Sequence, residues 1–257
     1  MSAGLELSGL RLVERGGAPL VEVAELRVAP GESLGIVGES GSGKSLLLRS
    51  LIGLLPDGVR RAAGEVRLDG APVHGHADVR GQIGLVLQDP GSALDPVRRV
   101  GAQIADVRRA VRGLPRAVAA SDAVALLDRV GIRDAAATAR LYPHELSGGM
   151  RQRAAIAVAL AAEPRFLLCD EPTTALDVTV QQRVLDLLSS LRAEGLGLVF
   201  VSHDLPVVAQ VSERIMVMRH GQVIESGVTD EVIAAPASDY FSELIAEARA
   251  LEGGSDG

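Results

Sequence analysis

Apolar and polar residues alternate in short runs over the first part of the chain: Leu5-Glu6-Leu7-Ser8, Leu10-Arg11-Leu12-Val13, Val21-Glu22-Val23 and Leu26-Arg27-Val28. A period of two turns one face of a strand toward a core and the other toward water. This segment is therefore predicted to form antiparallel strands with a turn at Gly16-Gly17. Pro30-Gly31 then turns the chain into a different pattern. Ser33-Leu34-Gly35-Ile36-Val37, Phe166-Leu167-Leu168-Cys169 and Leu198-Val199-Phe200-Val201 are apolar almost throughout, which suits strands buried on both faces. Gly64 to Asp69 and Ile83 to Leu87 are expected as a further strand pair, and Arg214 to Glu225 as a hairpin turning at His220-Gly221.

Helical patterning occupies Ser45 to Leu55, Gly149 to Ala162 and Val180 to Ala193. From Val97 to Arg140 the chain is rich in Ala, Val and Arg at helical spacing, broken at Gly113-Leu114-Pro115 and at Gly131. The expected fold is α/β. Residues 1–96 and 163–252 would form a catalytic core with an N-terminal antiparallel β-subdomain, 97–162 an inserted α-helical subdomain, and 253–257 a small, polar, frayed tail.

Composition narrows the function classes. A chain of 257 residues can bury a sizeable core. Aromatics make up only 2% and Trp is absent, so that core must be built from Leu, Val, Ile and Ala. The net charge of −7 argues against a general nucleic-acid binder. The single cysteine, Cys169, cannot close an intramolecular disulfide and fits a reducing compartment. No apolar run approaches the roughly 18 residues of a membrane span. Met1-Ser2-Ala3-Gly4-Leu5-Glu6 lacks the basic-then-apolar order of a signal peptide. Any membrane in this protein's work belongs to a partner.

The chemistry is organised around Gly38-Glu39-Ser40-Gly41-Ser42-Gly43-Lys44-Ser45, a G-x-x-x-x-G-K-S phosphate-binding loop between an apolar strand and a helix. A triphosphate needs several backbone N–H donors converging on it, and glycines let the backbone come that close. Lys44 adds a point charge for the β- and γ-phosphates, Ser45 a hydroxyl for Mg²⁺, and the following helix, with Leu47 in its first turns, points its positive end at the anion. Phe166 to Cys169 ends in Asp170-Glu171. A buried strand would deliver Asp170 to its C-terminal edge as a Mg²⁺ carboxylate, with Glu171 placed as general base for an attacking water. A second phosphate-reading device follows from Ser147-Gly148-Gly149, a hydroxyl and bare amides at a helix start. One nucleotide held by its own loop does not need two such devices, which implies a head-to-tail dimer.

With Leu146-Ser147-Gly148-Gly149-Met150, the chain resembles the ATP-binding cassette (ABC) ATPases, a P-loop NTPase family with a RecA-like core and the signature L-S-G-G-Q. Met150 stands where Gln is usual, but the stretch Tyr142-Pro143-His144-Glu145 through Arg151-Gln152-Arg153 is similar to the Y-P-x-E-L-S-G-G-M-R-Q-R of the peptide and nickel importers. The resemblance implies roles for further residues. Gln88 matches the Q-loop glutamine at the metal and attacking water, Asp177 the D-loop aspartate at the dimer seam, and His203 the switch histidine on the γ-phosphate. Ser92-Ala93-Leu94-Asp95-Pro96 looks like the S-x-L-N-P of the same group. The implied cofactors are ATP and Mg²⁺. The implied partners are a second cassette, identical or a paralogue, two transmembrane permease subunits and, indirectly, an extracytoplasmic solute-binding protein, with no nucleic acid. The implied location is the cytoplasmic face of the cell membrane, as a peripheral subunit, and the implied activity is ATP hydrolysis coupled to import of nickel, di- or oligopeptides, or a metal chelate.

Two departures bear on this. Val13-Glu14-Arg15-Gly16 lacks the family's adenine-stacking aromatic, leaving the Arg15 guanidinium and an expectation of weak base selectivity. The C-terminus is short and lacks the cysteine cluster of many peptide-importer ATPases. With Leu55 to Arg60 after the P-loop helix, this looks closer to the nickel type. The rival class is a soluble ABC ATPase of nucleic-acid repair or translation. Long coiled coils or a second cassette would mark it, and neither is in this sequence. His74-Gly75-His76 lacks a third ligand and reads as solvated rather than as a metal site. His144 reads as structural or as facing a partner, and the arginines at 98, 99, 108, 109 and 112 as solvated helix faces or partner contacts.

Overall fold

The computed structural model describes residues 4–174 and 176–253. Among the described residues the strands are β1 (Leu5–Glu14), β2 (Pro19–Val28), β3 (Ser33–Val37), β4 (Val59–Leu68), β5 (Ala71–Pro72), β6 (Ile83–Val86), β7 (Phe166–Asp170), β8 (Gly197–Val201), β9 (Arg214–Arg219) and β10 (Gln222–Val228). The chain divides into two compact units, one running up to Val79 and resuming at Gly197, the other spanning Arg80 to Leu196.

In the first unit the strands lie in the order β5-β4-β1-β2-β10-β9-β3-β8. β1 pairs antiparallel with β2 and with β4, from Leu5↔Val28 and Leu5↔Leu68 onward. The four short alternating runs of the sequence merge here into two ten-residue strands. The alternation slips by one at Ser8-Gly9 and again at Ala24-Glu25, so Leu7 and Leu10 both face the core. Gly9 takes φ 58 and Gly64 φ 84, and a Cβ on Gly64 would lie 2.4 Å from the Gly9 carbonyl oxygen. Two glycines are what allow the backbones to meet at this bulge. β3 is buried at every position and pairs in parallel with β8 and β9. The β9–β10 turn has His220 at φ 48 and Gly221 at φ 78, the two-residue mirror-type turn that matches strand twist. Helices Leu205–Val211, Thr229–Ala234 and Asp239–Gly253 complete the unit. Gly253 ends the last of these, and the rest of the expected tail lies outside the described residues.

The second unit holds β6 and β7, parallel from Ile83↔Phe166 to Val86↔Cys169. The expected pairing of the Gly64 and Ile83 segments is thus corrected. β4 exposes most of its length and joins antiparallel neighbours, whereas β6 is largely buried and joins a parallel one. The helical stretch resolves into Val100–Arg112 and Arg116–Arg129, separated by Gly113 in the left-handed conformation at φ 68. Gly131 closes the second helix at φ 78. Helices Gly148–Leu160 and Val178–Ala193 flank β7 in sequence.

Candidate functional site

The loop from Gly38 to Gly43 leaves β3 and enters the helix Lys44–Leu51. Gly38, Gly41 and Gly43 take φ 150, 81 and 98, all costly for other residues. A Cβ on Gly38 would lie 2.1 Å from the Met218 carbonyl oxygen, and one on Gly43 2.7 Å from Val21 Cγ2. At Gly41 a Cβ would meet nothing within 4 Å, so the turn of the loop opens onto space that phosphate oxygens can fill. Lys44 is 5% exposed, and its Nζ donates to the carbonyls of Gly38 (2.6 Å) and Glu39 (2.8 Å) and to Ser42 Oγ (3.4 Å). The loop is thus wrapped around its own cation. Ser40 is exposed and Ser45 half-buried. Leu47 has its side chain wholly buried and gives its N–H to the Gly43 carbonyl at 2.9 Å, so its part in the site is to hold the helix start. His203, in the same unit, is exposed just beyond β8, between buried Ser202 and Asp204, which caps the next helix. Arg15 lies in the β1–β2 turn, exposed, its N–H on the Gly58 carbonyl at 2.8 Å.

The carboxylates belong to the second unit. Asp170, the last residue of β7, is 3% exposed, whereas the next residue leaves the strand with φ 46. That residue is Glu171. A left-handed backbone at a glutamate is uncommon and costs free energy, and such strain gathers at functional positions. It swings the carboxylate to where Gln88 Nε2 (3.2 Å) and Thr174 Oγ1 (2.9 Å) both donate to its Oε2. Gln88 follows β6, exposed. Asp89 beside it caps a short turn, accepting the Ser92 hydroxyl (2.7 Å) and the Gly91 N–H (2.9 Å), which hold its carboxyl below the usual range. Burial, and then the Asp170 charge, push the Cys169 thiol far up, so it is a small apolar core residue and not a nucleophile.

Ser147 caps the helix Gly148–Leu160, its Oγ accepting the Met150 N–H at 3.3 Å. A Cβ on Gly148 would meet nothing within 4 Å, and one on Gly149 would touch Leu176 and Val180 at 3.5 and 3.6 Å. Asp177 caps Val178–Ala193 through the Val180 N–H at 2.9 Å. Ala175, in the middle of the Thr173–Asp177 stretch, lies outside the described residues.

The structure brings together Lys44 with the loop, and Gln88 with Glu171. It adds partners that sequence reasoning missed. Thr174 offers one local hint, its spacing of three from Glu171. Tyr240, whose hydroxyl accepts the Glu39 N–H at 2.9 Å, lies 201 residues away in the sequence and left no signal.

A family model described as ABC transporter matches residues 21–174. A protein of Brucella abortus (strain 2308) provisionally named a peptide import ATP-binding protein is 45% identical over 94% of this chain and 76% of its own length. An oligopeptide transport ATP-binding protein of Mycobacterium tuberculosis is 47% identical over 90% of this chain, which corresponds to 39% of that longer protein. Among solved structures, the post-hydrolysis dimer of the ATP-binding cassette MJ0796 bound to ADP and phosphate superposes with a TM-score of 0.79 at 28% identity, covering 88% of this chain and 98% of that one. A second match is cbiO1 from Clostridium perfringens, described as part of the ABC transporter complex cbiONQ. It gives a TM-score of 0.78 at 29% identity over 91% of this chain and 92% of that one. The expected fold is the one found: a RecA-like P-loop core with an N-terminal β-subdomain and a helical subdomain.

Proposed function

This chain belongs to the ABC transporter family, and from that premise we propose that it is the ATP-hydrolysing motor subunit of a membrane importer for di- or oligopeptides. The observation that carries the cargo reading is its high identity, over nearly its whole length, to relatives named for peptide import. The Tyr142 to Arg153 signature, similar to that of the peptide and nickel importers alike, supports the importer group, and the relatives carry the choice of peptide within it.

The roles follow from the chemistry of each group. Lys44 and the backbone N–H groups of Gly38 to Gly43 take the phosphates, the Gly38 and Glu39 carbonyls holding the Lys44 ammonium in place. Ser45, Gln88 and Asp170 offer hydroxyl, amide and carboxylate oxygens, the hard donors that suit Mg²⁺. That ion, when bound, offsets the charge on the phosphate oxygens. Glu171 takes the proton of the attacking water, steadied by Gln88 and Thr174, and His203 donates to the γ-phosphate. Ser147, Gly148 and Gly149 cap a nucleotide held by a second cassette, identical or a paralogue, with Asp177 at the seam. Two permease subunits convert this cycle into transport at the cytoplasmic face of the membrane, and a solute-binding protein supplies the cargo from outside. Arg15 gives the base only a guanidinium plane, so discrimination of ATP from GTP is weak.

Uptake in the native cell tests the cargo, with Glu171→Gln as the one change and labelled dipeptide compared with nickel. Dipeptide uptake is expected to fall while nickel accumulation holds. A fall in nickel alone would move the chain to the metal or metal-chelate branch. Loss of neither would place the cargo outside both. If co-expressed permease subunits failed to bring the chain to the membrane, the soluble nucleic-acid or translation reading would replace this one.

A further inference from the structure

The peptide unit joining Gly38 to Glu39 is held at both ends. Its carbonyl accepts Lys44 Nζ at 2.6 Å, and its N–H donates to Tyr240 Oη at 2.9 Å. A peptide is planar, so the hydrogen bond on its N–H fixes the direction of its carbonyl, and the carbonyl fixes the ammonium. Bonds at the two ends of one amide also polarise each other. The geometry points to Tyr240 as a positioning residue for nucleotide binding, acting through the Gly38–Glu39 peptide on Lys44. This inference rests on the nucleotide reading above.

Tyr240 is itself firmly placed. It is 5% exposed and its neighbour Phe241 wholly buried. The start of its helix is tied to β10, where Glu225 accepts the N–H groups of Ala237 (2.7 Å) and Ser238 (3.2 Å) and the Ser238 hydroxyl (2.9 Å). The Arg219 guanidinium lies 4.6 Å above the centre of the Tyr240 ring, a cation on the electron-rich face. Arg219 ends β9, and in the turn that follows Gly221 donates its N–H to the Ser42 carbonyl at 3.0 Å. Met218, one residue before, presents the carbonyl that leaves room only for glycine at Gly38. The β9–β10 hairpin and the C-terminal helix therefore hold the phosphate loop from outside, at Gly38, Glu39 and Ser42. A displacement of that helix would be felt at Lys44 through one peptide unit and the two hydrogen bonds at its ends.

The test uses the full chain and three measurements: ATP affinity by calorimetry, steady-state ATPase parameters, and thermal melting without nucleotide. Tyr240→Phe keeps the ring, its burial and the Arg219 contact, and removes only the acceptor. The Kd and KM for ATP should rise about three- to tenfold, the loss of one hydrogen bond, with kcat changed less than about twofold. The melting temperature without nucleotide should fall by no more than a few degrees, the cost of one hydrogen bond within the fold. Arg219→Met, which frees the ring to move, should weaken binding in the same direction by about twofold. Unchanged ATP affinity in Tyr240→Phe would overturn the inference. A fall in kcat without a change in KM would do the same, as would weaker binding that merely tracked a collapse in melting temperature. A parental chain that bound no ATP would sink the nucleotide reading itself, and this inference with it.

Discussion

Replacing Glu171 by glutamine removes a proton acceptor while keeping the size and the polar contacts of the side chain. In the structure Gln88 Nε2 and Thr174 Oγ1 both donate to one carboxylate oxygen, at 3.2 and 2.9 Å. The carboxamide oxygen of the variant can accept both, so the side chain should remain in place in spite of the left-handed φ of 46 at this residue. What it loses is the ability to take a proton from water. General-base catalysis contributes about 10²- to 10⁴-fold, so kcat should fall by that factor, equivalent to about 3–5 kcal/mol on the barrier. Binding should be little changed, because glutamine keeps the size of the side chain and its oxygen acceptor, and KM should stay within about twofold. The assay is phosphate release by the purified chain at saturating Mg·ATP. Where the second cassette is an identical chain, size-exclusion chromatography in ATP should show a persistent dimer, since closure outlasts the slowed step. A variant that hydrolysed ATP at the parental rate would falsify the assignment of Glu171 as base. A raised KM with unchanged kcat would make it a binding residue instead.

Other substitutions probe the same construction. Gly38→Ala places a Cβ 2.1 Å from the Met218 carbonyl oxygen, which is backbone and cannot swing away. ATP binding should be lost and stability should fall by roughly 1–3 kcal/mol, both measurable by calorimetry and by melting. Thr174→Val removes one of the two donors on Glu171, and kcat should fall about three- to tenfold with KM kept, read in the same ATPase assay. Glu163 also has a left-handed backbone, at φ 51, and its carboxylate takes Arg108 at 2.6 Å and Arg112 at 2.8 Å. The Arg108 hydrogen bond above all holds its carboxyl below the usual range, so its stabilisation is fully present above that range and is lost as pH falls through the lowered value. Denaturation of Glu163→Gln against the parent should show a gap of at most about 1 kcal/mol at neutral pH that closes in acid, because the Glu163 carboxylate is half exposed even though Arg108 is buried. A gap that stayed constant with pH would refute the ion-pair account.

Much of this protein is legible in the order of its residues. The P-loop could be read because its function depends on backbone exposure, which glycines at fixed offsets dictate locally, and β3, β7 and β8 because burial on both faces demands unbroken apolar runs. The His220-Gly221 turn and the break at Gly113 are likewise local necessities of φ. Where two segments had to meet, the pattern was silent. Leu5 to Ser8 and Leu10 to Val13 looked like separate strands until Gly9 and Gly64 were seen to share a bulge. The start of β4 at Val59 was hidden because no residue of the strand before Val66 is buried, so no apolar face marks it. The sequence by itself determined a phosphate loop, a pair of carboxylates at the end of a buried strand and, through the Leu146 to Met150 signature, the family resemblance. Only the tertiary structure decided that Glu171 is held by Gln88 and Thr174, and that Tyr240 holds the loop that carries Lys44. The reason is that a contact across 83 or 201 residues is fixed by how the strands and helices pack, and packing imposes no period on the chain.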